Sequence, residues 1–357
     1  MKSLLYLITA LIVVLSGCDT TPIPPAEPPE YEFSMSVEVG SQPAKIYFDN
    51  MTGFFHIFCL GKDVDFDGNK DAEDENPSWW IINKNDLSNP QKKMEFDFGF
   101  IGFPFRPHFD LDDRTLFISQ SGEIKQYNID NFDLMSTDIG DYYASAITKE
   151  GDTLFLSTTP EYGKPGKVII YNYKNKQVAA SITAGLNVQQ TLYYELNGKK
   201  MLAILSEGVG NQDAMLQFVE LKSTGAEVVK TFDGIGNGGN FITLIGCKLF
   251  LSLNISNEIM EFNLNNFSVV KTFSTGTSGF NGPREVAIVN SFSELYVTTY
   301  NGDVRVFNTN TGLLKKTYLV DSKAEGIYLL NDEMFLVCNI SNTDYTANNK
   351  VSIFLAK

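Results

Sequence analysis

Leu116-Phe117-Ile118-Ser119, Leu154-Phe155-Leu156-Ser157, Leu249-Phe250-Leu251-Ser252 and Leu295-Tyr296-Val297-Thr298 are copies of one pattern: three apolar residues closed by a small hydroxyl side chain. Weaker copies run Phe55-His56-Ile57-Phe58, Leu202-Ala203-Ile204-Leu205 and Met334-Phe335-Leu336-Val337, which makes seven. A short continuous apolar run rich in aromatic and β-branched residues suits a strand covered on both faces. Recurrence along a chain marks one supersecondary unit repeated, because a unit this small cannot bury its apolar face alone.

Working outward, each copy is followed by a second strand, often ending in an aromatic residue and Asn: Tyr127-Asn128, Tyr171-Asn172, Phe262-Asn263, Phe307-Asn308. A turn leads to a third strand, such as Val269 to Phe273 or Leu314 to Tyr318. Another apolar stretch precedes each copy, such as Phe241 to Leu244 or Val286 to Val289. Four short strands per unit, at roughly 40–50 residues, is the spacing of β-propeller blades. No long segment carries a helical apolar period, so the chain reads as all-β. The expected body is a single seven-bladed β-propeller over residues 31–357. Its last unit stops at a third strand, Val351 to Ala356, while Glu32 to Val39 alternates as a spare strand at the other end. This N-terminal strand is expected to complete the last blade and leave no open sheet edge.

Ahead of the repeats, Met1-Lys2, the apolar run Leu4 to Leu15 and Ser16-Gly17-Cys18 follow the plan of a secretory signal. The run falls short of the roughly 20 apolar residues a membrane-spanning helix needs. Leu15-Ser16-Gly17-Cys18 resembles the bacterial lipobox, which implies a signal peptide over 1–17, cleavage before Cys18 and lipidation of its sulfur. Residues 18–30, with Pro22, Pro24, Pro25, Pro28 and Pro29, read as an extended spacer. The chain is thus expected to be exported and lipid-anchored in the cell envelope, at the outer membrane, facing the periplasm or the exterior. The lipid is its only expected membrane contact. A formal net charge of -15 argues against a nucleic-acid partner, since phosphate binding needs a basic patch. With Cys18 lipidated, Cys59, Cys247 and Cys338 are an odd number in apolar surroundings and read as buried thiols.

The first unit is interrupted by an acidic insertion over 63–75. Asp63, Asp65, Asp67, Asn69, Asp71 and Asp74, with Gly68 at the sharp turn, match the ligand spacing of an EF-hand loop. Asn69 would offer its backbone carbonyl and Asp71 would ligate through water. The final position holds Asp74 where the EF-hand pattern has Glu, and flanking helices are absent. The loop looks more like the helix-poor calcium loops of thrombospondin type 3 or dockerin repeats. A structural Ca²⁺ ion is the expected cofactor, against the plainer reading of a solvated acidic insertion.

In a propeller, the connection between a blade's second and third strands emerges on the same face as the connection between blades. The long insertions fall there: Gly61 to Ser78, Thr158 to Lys167, Glu207 to Ala214 and Ser341 to Lys350. Loops on a rigid scaffold commonly carry function. Aligning the units places Lys45, His108, Gln190, Asn240, Arg284 and Glu325 at the channel mouth on that face, as ligand-binding candidates or simple channel solvation. Phe96, Phe98, Phe100, Phe103 and Phe105, near Trp79 and Trp80, either stack on a planar ligand or pack beneath the acidic loop, and packing is preferred. Gly234-Ile235-Gly236-Asn237-Gly238-Gly239 satisfies G-x-G-x-x-G but has no following helix, so it reads as a turn.

The blade rhythm of residues 31–357 resembles the bacterial YVTN/YncE-like propeller family. That resemblance speaks to fold more than to function. No catalytic motif is present, neither H-E-x-x-H nor G-x-S-x-G. The reading is a non-catalytic binding lipoprotein for a small molecule, glycan or envelope protein. Similar propeller lipoproteins include cobalamin-capturing proteins of gut bacteria, which makes a corrinoid one candidate. The alternatives are a lactonase-type hydrolase using His108, Arg284 and Glu325, or a scaffold for protein contacts.

Overall fold

The structure is a computed structural model and describes residues 29–357 apart from 66–69, 99–105, 121, 137–138, 141, 162, 211–212, 224, 290–292, 321 and 331. Residues 1–17, expected to be a signal, and Cys18 therefore lie outside the described residues. Seven antiparallel sheets of four strands each follow in chain order. The first runs from β2 (Pro43–Asp49) to β5 (Asp86–Glu95), the second from β6 (His108–Asp110) to β9 (Leu134–Ser136), and the third from β10 (Ala144–Glu150) to β13 (Gln177–Leu186). The fourth spans β14 (Val188–Leu196) to β17 (Gly225–Phe232), the fifth β18 (Gly239–Ile245) to β21 (Ser268–Ser274), and the sixth β22 (Pro283–Val289) to β25 (Leu314–Leu319). The seventh combines β26 (Lys323–Leu330), β27 (Met334–Ser341) and β28 (Ala347–Ala356) with β1 (Tyr31–Glu38), which pairs from Tyr31↔Ala356 to Glu38↔Lys350. The chain is a seven-bladed β-propeller.

The apolar repeats form the second strand of each blade. β7 (Thr115–Gln120), β23 (Glu294–Thr299) and β27 are buried at every residue, because neighbouring blades cover both faces. Phe117, Phe155, Phe250, Tyr296 and Phe335 occupy matching places and are at most 2% exposed. Each such side chain contributes roughly 1.5–3 kcal/mol by leaving water. The core is accordingly divided among the spaces between blades. Phe58 and Trp79 of one sheet meet Leu116 and Tyr127 of the next, and Leu205 and Phe218 meet Leu249 and Phe262. The fourth strands, such as β17 and β21, lie on the rim and are largely exposed.

The hydroxyl that closes the repeat has a structural task. Ser252 Oγ accepts from Phe241 N (3.1 Å) in its own blade and donates to Arg284 O (2.7 Å) in the next. Thr298 Oγ1 likewise accepts from Glu285 N (3.0 Å) and donates to Glu325 O (2.6 Å). Ser119 Oγ donates to Tyr142 O and accepts from Ala144 N, both at 2.9 Å. The repeated hydroxyl is thus a latch between consecutive blades. Ser157 and Ser206 make no such bond, and between the third and fourth blades Ser145 Oγ donates to Val188 O (2.5 Å) instead. The recurrent Asn serves the opposite face. Asn128 Oδ1 accepts from Asp130 N and Asn131 N, and Asn308 Oδ1 from Asn310 N and Thr311 N, each bond 2.8–3.1 Å. These are Asx turns joining third to fourth strands.

Six of the seven innermost strands break register near their start, at Pro43/Lys45, Ala144/Ala146, Val188/Gln190, Gly239/Phe241, Pro283/Val286 and Ala324/Ile327. A bulge re-aims side chains, and here it turns polar residues toward the ring centre. The blades crowd closely there: a Cβ on Gly326 would lie 2.5 Å from Ala44 O, so only glycine fits. Cys59 and Cys338 are buried free thiols, as expected. Cys247 is buried as well.

Candidate functional site

Lys45, Asn240, Arg284 and Glu325 come together at the mouth of the ring. Arg284 Nε and Nη2 donate to Glu325 Oε2 (2.7 Å) and Oε1 (3.0 Å), a two-pronged ion pair between the sixth and seventh blades. The Arg284 guanidinium lies 4.4 Å from the Tyr300 ring centre. The Asn240 amide, turned to satisfy its neighbours, accepts from both Arg284 Nη atoms at 3.0–3.1 Å. Lys45 Nζ pairs with Glu285 Oε1, which ties the first blade to the sixth across the mouth. All four of these acidic and basic groups are nearly removed from water. Burial opposes the Arg284 charge, yet Glu325 and Tyr300 outweigh it and raise its pKa. Burial raises the Glu285 carboxyl, against the pull of Lys45 and Arg106.

Two expected members behave differently. Gln190 accepts from Ile242 N (2.8 Å) and donates to Ile242 O (3.0 Å), so its amide straps the fourth blade to the fifth and is spent on backbone. His108 is not at the mouth. It pairs with Phe117 in the sheet register, where Lys45 pairs with Phe58. Matching the strand ends at Asp49 and Asp110 puts Arg106 in the place of Lys45. His108 sits two residues deeper, 3.9 Å from Asp110, in a cleft shared with Asp113, Lys149 and Gly151 near the first-to-second-strand turns of the opposite face. Burial holds its pKa down to about 4, with Asp110 opposing and Lys149 assisting. The trio His108, Arg284 and Glu325 is therefore not gathered into one site. β6 is only three residues long, too short to fix the alignment from sequence.

Arg106 is the residue that the alignment missed. Its Nη2 donates to Asn240 O (2.8 Å), reaching from the second blade to the fifth, and its guanidinium stacks 4.8 Å from the Phe241 ring centre. Lys323, first residue of β26, and Glu207 also belong to the rim. Lys323 Nζ lies 3.9 Å from the Tyr345 ring centre. Burial raises the Glu207 pKa, and its carboxylate accepts from Gln189 Nε2 (3.0 Å). The bulged strand starts signal Lys45, Asn240, Arg284 and Glu325, but β6 has no register break to signal Arg106.

The acidic insertion is pinned at its base. Lys62 and Glu75 exchange both backbone hydrogen bonds at 2.9 Å, and a Cβ on Gly61 would lie 2.3 Å from Glu75 O. Asp74 is 8% exposed; Oδ1 accepts from Val64 N (2.8 Å) and Oδ2 from Asp71 N (2.7 Å). Asp63, Asp65, Asp71 and Asp74 are described; Asp67 and Asn69 lie outside the described residues. Of the aromatics, Phe96 and Trp79 are core, with Phe96 edge-on to Tyr127 and Trp79 Nε1 donating to His56 Nδ1 (3.1 Å). Phe100, Phe103 and Phe105 lie outside the described residues. The glycine-rich segment connects β17 to β18 as a turn.

The long connections surround this mouth. Residues 60–77, 159–164, 207–214 and 342–346 each join a second to a third strand. No family model matches the chain, and no curated protein does. Among solved structures the chain is similar to the WD40 β-propeller domain of Doa1. The likeness covers 92% of this chain and 98% of that one, with a TM-score of 0.64 and 13% identity. It shows the fold, a β-propeller.

Proposed function

We propose that the protein is a non-catalytic binding module, exported and lipid-anchored through Cys18, that takes a small molecule, a glycan or an envelope protein on its loop-rich face. One observation carries this reading. Four long loops and the inward-turned polar strand starts converge on the same rim, and the acid and base groups there are mostly engaged with one another. Mutually paired groups position and recognise; they do not offer a free base to a substrate. The test presents the purified protein to a glycan array and to a metabolite extract. Replacing residues 207–214 and 342–346 by short Gly-Ser links should abolish retention of the ligand. Retention unaffected by both replacements would overturn the reading. Turnover in a lactone-hydrolysis screen, lost in Glu325→Gln, would favour the hydrolase.

The acidic loop supports a second proposal, a structural calcium site. Its carboxylates alternate with the ligand spacing of known calcium loops, and its base is already closed by Asp74, Lys62 and Glu75. Calcium would be held by Asp63, Asp65, Asp67, Asn69 and Asp71, with Asp74 fixing the turn. Titration with calcium should raise the melting temperature, and Asp65→Ala/Asp67→Ala should remove the rise. No heat and no shift at millimolar calcium would sink it.

A further inference from the structure

Among the described residues the mouth carries four cations, Lys45, Arg106, Arg284 and Lys323, against three carboxylates, Glu207, Glu285 and Glu325. Lys45 is matched by Glu285, and Arg284 by Glu325. Arg106 and Lys323 have no carboxylate within ion-pair distance among the described residues. Among the described residues the Arg106 side chain makes one hydrogen bond, to Asn240 O, and its Nε is buried without a partner. Lys323 Nζ meets only neutral oxygens, Tyr300 O (3.3 Å) and Asn281 Oδ1 (3.4 Å), and the Tyr345 ring. The two cations belong to one connected arc: Arg106 touches Asn240, Asn240 touches Arg284, and Tyr300 lies under both Arg284 and Lys323. In a chain of net charge -15 this arc is a local inversion of sign.

Leaving a guanidinium N–H unmet away from water is unfavourable unless a ligand completes it. Phe241 covers one face of the Arg106 guanidinium, so its edge is what remains for a ligand. A guanidinium edge presents two parallel N–H bonds, and the planar acceptor that matches them is a carboxylate. We infer that Arg106, assisted by Lys323, forms an anion subsite at the channel mouth that takes the carboxylate of a small organic acid. This rests on the binding-module reading and names its ligand class. The acid meets the Arg106 edge beside Phe241, and Lys323, at the other end of the arc, adds positive charge to the mouth. Arg284 and Glu325, locked to each other, frame the pocket without contributing free charge.

The experiment titrates the purified protein with sodium acetate, succinate and benzoate, and with sodium sulfate at matched ionic strength, following heat and melting temperature. At least one carboxylate should bind and raise the melting temperature, while sulfate does not. Arg106→Gln should weaken that binding about tenfold or more, the scale of a charge-assisted forked contact. Arg106→Lys should weaken it less, Lys323→Gln less again, and the rim control Lys93→Gln not at all. Both Arg106 variants should keep an unliganded melting temperature near that of the parent protein, which separates lost binding from lost folding. Carboxylates that behave as sulfate, or binding that survives Arg106→Gln, would overturn the subsite. If maltose or a corrinoid binds and Arg106→Gln leaves it unchanged, the binding module stands and the anion subsite falls. If carboxylates bind through Arg106 but the loop replacements have no effect, the subsite stands and the loop-face reading falls.

Discussion

The two faces of the ring are built on different terms. On the face away from the mouth, every connection between strands of a blade is two to five residues long. Many of these turns are closed locally, by Asn128, Asn172, Asn263 and Asn308 accepting from their own backbone. Left-handed residues complete them, Gly53, Gly151, Gly246 and Gly312 among them. Arg114 adds ion pairs to Asp49 (2.7 Å) and Asp130 there. The mouth face has connections up to eighteen residues long and is held by bonds reaching from blade to blade. Charge pairs on the turn face join adjacent blades, as Arg114 does to Asp49 and Lys149 to Asp110 (2.6 Å), whereas at the mouth Lys45–Glu285 and Arg106–Asn240 reach between blades that are not neighbours. A surface made of local turns is hard to vary without losing the turn, whereas one held from beneath by a shared network leaves its loops free to differ.

Breaking that contrast starts at the mouth. Glu325→Gln leaves Arg284 buried without its forked partner, and removing one member of a buried pair costs about 3–5 kcal/mol. Chemical denaturation should show that loss. A cost below about 1 kcal/mol would mean that the network does not hold this face. The next effect belongs to the other side. His56 is 3% exposed, and burial holds its pKa down to about 4, with nearby Asp49 opposing. In the unfolded chain it titrates near 6.5, so between pH 6.5 and 4 the unfolded state binds more protons. Stability should therefore fall by about 3 kcal/mol as pH drops through that window. A pH series of melting curves should show the limb, and His56→Gln should remove only its own share, because burial holds His108 down to about 4 over the same window. Thr298→Val keeps the shape and removes one latch. Its expected effect is about 2 kcal/mol from unmet backbone groups at Glu285 and Glu325. Smallest is Asn308→Ala in a single exposed turn, at about 1 kcal/mol or less. It should leave any ligand binding at the mouth untouched.

The blade rhythm was legible because burial on both faces forces continuous apolar strands, and because each Asx turn needs its Asn. Less visible were turns in which Arg114, Phe132 and Phe267 adopt a left-handed backbone, a conformation their side chains do not advertise. At the mouth, Lys45, Asn240, Arg284 and Glu325 could be placed by counting from the repeats. Arg106 could not, because its blade opens on a three-residue strand with no bulge to count from. Glu285 and Lys323 were missed since a bulge turns one more residue inward than a regular strand would. Gln190 was placed near the mouth, yet its amide holds Ile242, and no sequence pattern separates a side chain facing ligand from one facing backbone.

The latches have a consequence for how the ring comes apart. Stacked repeats ordinarily melt in pieces, each depending only on its neighbours. Here the amides of Phe241 and Glu285 are bonded to hydroxyls that also bond the following blade. Opening either amide therefore also disturbs the bond that the same hydroxyl donates to the adjoining blade. Such protons exchange with solvent at the free energy of the cooperative unit, not of one blade. Where the repeat ends in Ser252 or Thr298, the hydroxyl therefore links the opening of one blade to the next at the mouth.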